Sequence, residues 1–135
     1  MTRFYDIDEA NATLEELESI ATVLAEQRAE LVRLRDHALA RSPGTASDIE
    51  PLSDDELRTL RLRMQGLVDQ MAAGVARIDQ LGLSLRDIES GLIDFPALVA
   101  GRQVWLCWRR GEPQIGWWHD LDTGFSSRRP LAELA

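Results

Sequence analysis

GLIDFPALVAGRQVWLCWRRGEPQIGWWHDLDTGFSSRR, residues 91–129, is the stretch on which the fold turns. It holds all four tryptophans (Trp105, Trp108, Trp117, Trp118), the only cysteine, Cys107, and one of the two histidines, His119. Apolar and polar residues alternate here as in strands, whereas upstream they recur three and four apart, as on a helix face. Residues 103–109 (QVWLCWR) and 114–119 (QIGWWH) flank Arg110-Gly111-Glu112-Pro113, which reads as a hairpin turn. Gly91-Leu92-Ile93-Asp94-Phe95 reads as another strand, ended by Pro96. Leu83 and Leu85, alternating with Ser84 and Arg86, suggest a further short one, and residues 121–129 read as loop.

Upstream, Asp6 and Glu9 stand in capping-box spacing at a helix start. Leu17, Ile20, Leu24, Leu31, Leu34 and Ala38 then form an apolar stripe interrupted by Gln27, which predicts a helix over about 8–40. Acidic residues crowd its first half and arginines its second, as the helix dipole prefers. Ser42-Pro43-Gly44-Thr45-Ala46-Ser47 breaks it and reads as an exposed loop. Ser53 and Glu56 make a second capping box, before a stripe of Leu57, Leu60, Met64, Leu67, Met71, Gly74, Ile78 and Leu81. That predicts a helix over about 54–81, stopped by Gly82. Gln27 and Gly74, the two interruptions, could face one another across the antiparallel pair.

The expected fold is therefore α+β: a long antiparallel helical hairpin over 1–82, then a small antiparallel β-sheet of three or four strands over 83–135, as a single domain over 1–135. Extra apolar positions (Val23, Val32, Val68, Val75) exceed what one neighbouring helix covers. They either pack on the sheet or join two hairpins in a homodimer. The net charge of −8 argues against a nucleic-acid partner. No apolar run reaches a membrane span, and the acidic N-terminus is unlike a signal peptide. A lone cysteine fits a reducing compartment, so a cytoplasmic protein is expected.

Register decides the chemistry of the 103–119 hairpin. An even loop pairs Cys107 with Gly116 and Leu106 with Trp117, separating the thiol from His119. An odd loop pairs Cys107 with Trp117 and puts thiol and imidazole on one face. The even register segregates aliphatic residues better and is the expectation. A lone cysteine on an apolar strand ordinarily packs as a small hydrophobe, and the tryptophans as core. His119, ending a strand beside Asp120 and Asp122 and near Glu112 or Asp94, has the chemistry to bind a divalent metal ion or move protons. Its plainer reading is a hydrogen-bonded strand-end histidine. Residues 124–129 (GFSSRR) offer amides, hydroxyls and guanidinium groups suited to a small anion.

Phe4, Glu9-Ala10-Asn11, Gly91-Leu92-Ile93-Asp94-Phe95-Pro96, Leu106-Cys107-Trp108, Gly111-Glu112, Trp118-His119, Gly124-Phe125 and Arg128 together resemble an uncharacterised prokaryotic family, number 2203 of the domains of unknown function. The resemblance spans nearly the whole chain and implies no activity. It places Asp94, Cys107, Glu112, His119, Asp120 and Arg128 inside the family's motif, as candidates for a shared site. The chain departs from the pattern with Leu14-Glu15 in place of Leu-Pro, and with Ser127-Arg128 in place of Gly-Arg. The expected function is a small binding protein with a polar pocket for a metal ion or anion where sheet meets hairpin. His119, Asp120 and Glu112 are the expected metal ligands, and Glu9, Asn11, Asp94 and Arg128 the other pocket residues. The alternatives are a metal-assisted hydrolase using His119 and carboxylates, and a helical protein–protein adaptor.

Overall fold

A computed structural model describes residues 2–44 and 49–134, so Thr45, Ala46 and Ser47 of the expected loop lie outside the described residues. Helix α1 spans Ile7–Ala40 and α2 spans Asp54–Gln80. Both capping boxes form: Asp6 accepts from the Glu9 amide, and Ser53 from the Glu56 amide. The helices run antiparallel, about 50 Å and 40 Å long at 1.5 Å per residue. Where the stripes are interrupted, Gln27 and Gly74 line one cavity between the helices, and Gln27 pairs with Gln70 beside it. The bare Gly74 also admits Leu24, whose Cδ2 would stand 3.1 Å from an added Cβ.

Five antiparallel strands follow in sequence order: β1 (Ser84–Asp87), β2 (Leu92–Val99), β3 (Arg102–Arg109), β4 (Trp117–His119) and β5 (Arg129–Pro130). A 3-10 turn, Phe125–Ser127, interrupts the expected C-terminal loop. Contrary to the sequence expectation, β2 runs through Pro96. The Pro96 carbonyl accepts from the Tyr5 amide, so that residue's nitrogen points the same way, away from β3. On that side β1 has already ended at the Ser84–Asp94 pair. The missing N–H therefore costs no ladder bond.

The inner face of the sheet packs on the base of the hairpin. Ile93, Phe95, Ala97, Val104, Leu106, Trp108 and Trp118 join Ala10, Leu14, Leu17, Ala21, Leu24 and Ile78 in one core. Polar ties fix the two layers: Asn11 Oδ1 accepts from the Ile115 amide at 2.7 Å, and Glu18 from the Gly111 amide at 3.0 Å. The far turns of the hairpin extend past the sheet and are held helix to helix, as by Arg63–Glu30 at 3.0 Å.

The register of the β3–β4 hairpin is the odd one. Trp105 pairs with His119, Leu106 with Trp118, and Cys107 with Trp117. The even register would segregate aliphatic residues only with Ile115 in the strand, on one face with Val104 and Leu106. Ile115 is buried, but it lies outside β4, held in the connection by Asn11. Freed from that constraint, β4 turns Trp118 inward and His119 outward.

Candidate metal centre

Alternation along the strands assembles a polar cluster on the outer face of the sheet, away from the hairpin. Asp94 pairs with Cys107 across β2–β3, and His119 follows two residues after Trp117, the β4 partner of Cys107. One ligand atom from each of Asp94, Cys107 and His119 can be chosen so that all three lie within 4.8 Å of one another. Exposure is 2%, 0% and 2% for the three residues, although the helical hairpin lies on the other face. Trp105 and Trp117 flank the cluster on the same face. Arg86 stacks over the Trp105 ring at 4.9 Å, and Arg128 over Trp117 at 4.4 Å.

Hydrogen-bond chemistry leaves one place in the cluster for a proton or a cation. His119 Nδ1 lies 2.8 Å from the Asp120 carbonyl, which can only accept, so Nδ1 carries a proton. A neutral ring then turns its Nε2 lone pair toward Asp94 Oδ2, 3.0 Å away and also an acceptor. A proton or a cation must lie between two such atoms. Asp94 Oδ2 also accepts from Arg86 Nε at 2.9 Å, while Oδ1 is buried with no hydrogen-bond partner. An unsatisfied buried carboxylate oxygen is costly, and points to something it would hold. The Cys107 thiol hydrogen-bonds to both Asp94 and Arg128, its S–H donating to the carboxylate and its sulfur accepting from the guanidinium. Burial, reinforced by the Asp94 charge, pushes its pKa up to about 12 against the opposing pull of Arg128. By itself the thiol is neutral and a poor nucleophile.

The expected metal set of His119, Asp120 and Glu112 is not brought together. The Asp120 carboxylate turns to Arg102 at 2.7 Å and Arg129 at 3.9 Å. Glu112 takes Arg128 in a two-pronged pair at 3.1 and 2.7 Å, and its Oε1 caps the Arg109 amide. Of the other pocket residues, Glu9 closes the α1 capping box and Asn11 ties down Ile115. Asp94 joins His119 directly, and Arg128 borders the thiol. Sequence reasoning missed Arg86. It sits where the β1–β2 register shifts between Leu85 and Asp87, and nothing in a plain alternating run announces that shift.

The family described as "Uncharacterized conserved protein (DUF2203)" matches residues 3–131. No curated protein and no solved structure matches the chain.

Proposed function

We propose, from the premise that this chain belongs to the DUF2203 family, that it is a small binding protein holding one metal ion between Asp94, Cys107 and His119. The observation that carries this reading is the unpartnered Asp94 Oδ1, buried beside an imidazole nitrogen that faces a second carboxylate oxygen. A cation resolves both at once. Each donor already has an outer partner that would orient it: Asp120 carbonyl for His119, Arg86 for Asp94, Arg128 for Cys107. Elemental analysis of protein purified without an affinity tag should find close to one equivalent of a transition metal. Asp94→Asn should lose it while keeping its far-ultraviolet spectrum. A metal-free protein that also takes up none on titration would sink the reading.

The hydrolase alternative has less support, because the same burial that completes the site leaves a substrate no approach to it. The outer part of the hairpin supports a second role, as a contact between copies of this chain. Val23, Leu39, Leu62 and Val68 are exposed along it, more apolar side chain than isolated surface positions need. Light scattering at high micromolar concentration should give twice the chain mass of 15.2 kDa; the monomer mass would exclude it. No helix among the described residues is long and apolar enough to cross a membrane, and a cytoplasmic placement, suited to a free cysteine, belongs to the same reading.

A further inference from the structure

The donors of this site differ in kind, and that difference bears on which cation they suit. Calcium and magnesium require six or more oxygen ligands or a retained shell of water. The cluster offers a single carboxylate, and its residues are shielded from solvent. Sulfur and imidazole donors suit borderline-soft ions, and zinc above all accepts a mixed sulfur, nitrogen and oxygen set. The size also fits. Tetrahedral zinc, with bonds of roughly 2.0–2.3 Å, sets its ligand atoms about 3.3–3.8 Å apart. The cluster, spanning at most 4.8 Å, would close up by roughly 1 Å. Charge favours a thiolate over a thiol: Arg86 already offsets Asp94 and Glu112 offsets Arg128 at the rim, so ionised sulfur lowers the net positive charge that a divalent ion brings.

Resting on the metal-binding reading above, we propose that the site selects a divalent cation of the zinc class, with Cys107 bound as the thiolate, over magnesium, calcium and manganese. On binding, the Cys107 S–H proton passes to water as the metal–sulfur bond forms. His119 binds through Nε2, keeping Nδ1–H on the Asp120 carbonyl. The fourth position falls to the second oxygen of Asp94 or to one water.

The test uses the full chain, stripped with chelator and titrated with zinc, cobalt, manganese and magnesium. Cobalt should bind one per chain and give the near-ultraviolet absorption of a thiolate-to-cobalt transition, a readout that needs no variant. Zinc should bind far more tightly than manganese, and magnesium not measurably. Cys107→Ser should abolish that absorption and weaken zinc binding at least ten- to a hundredfold, the loss that removal of even an outer-shell partner brings. His37→Ala should change nothing, which guards against an adventitious site where His37 lies near Asp55 and Glu56. Cobalt binding without the thiolate absorption, or manganese rivalling zinc, would overturn the class of ion while leaving a metal site standing. Failure of every cation to bind would instead remove the reading beneath it. Zinc binding lost in His37→Ala but kept in His119→Ala would overturn both.

Discussion

A methyl group added at Gly91 would lie 2.6 Å from Arg110 Cβ and 3.3 Å from Ala21 Cβ, on a backbone at φ +70°. Left-handed backbone costs a side-chain-bearing residue roughly 1–2 kcal/mol, and overpacking about 1–3 more. Gly91→Ala should therefore destabilise the protein by roughly 2–5 kcal/mol in a urea melt. A shift below ~1 kcal/mol would mean that the β1–β2 turn yields freely. Cys107 permits a second expectation. In the metal-free native protein its thiol should resist alkylation at mildly alkaline pH and react once urea unfolds the chain, since burial holds it neutral. With the folded pKa raised to about 12 from an ordinary value of 9.0, the stability it contributes is fully present below the ordinary value. It is lost as pH rises toward 12. Fast native labelling would contradict the burial.

At the scale of the elements, the helices hold each other at their base through Arg77 and Glu16, paired at 2.6 and 3.0 Å. The hydrogen bond from Arg77 lowers the Glu16 pKa. Stability from a depressed carboxylate is present above its ordinary range and lost as pH falls through the lowered value. Arg77→Ala should therefore lower Tm at neutral pH, with the gap narrowing on acidification; a gap independent of pH would assign the loss to packing alone. The contrast between helices and sheet also shows what could be read in advance. Asp6 with Glu9, and Ser53 with Glu56, announced both helix starts because a capping box lies within four residues. The odd pairing of β3 with β4 depends on Asn11 holding Ile115, a contact between residues 104 apart in sequence. No local pattern carries such information, so the sequence leaves the thiol–imidazole meeting as the less favoured of two registers, and the expected metal set comes from sequence neighbours instead. Pro96 misled for a related reason: whether its missing N–H matters depends on where β1 ends.

Across the whole molecule, burial is unevenly shared. After Leu24 only Leu34 of α1 is buried, and on α2 only Ile78, so the far turns of the hairpin have the least to lose by opening. All four tryptophans, meanwhile, lie in the sheet region: Trp105 and Trp108 in β3, and Trp117 and Trp118 in β4. The molecule therefore carries its own pair of reporters. Indole emission follows the sheet and the core it shares with the base of the hairpin, while ellipticity at the helix band follows mainly α1 and α2. On heating, ellipticity should begin to fall before the emission spectrum moves. Coincident curves would mean that the two halves melt as one cooperative unit. A zinc-class ion bound behind the sheet should then raise the emission midpoint and leave the early loss of ellipticity where it was, so that one sample, scanned twice, tells which half a ligand has touched.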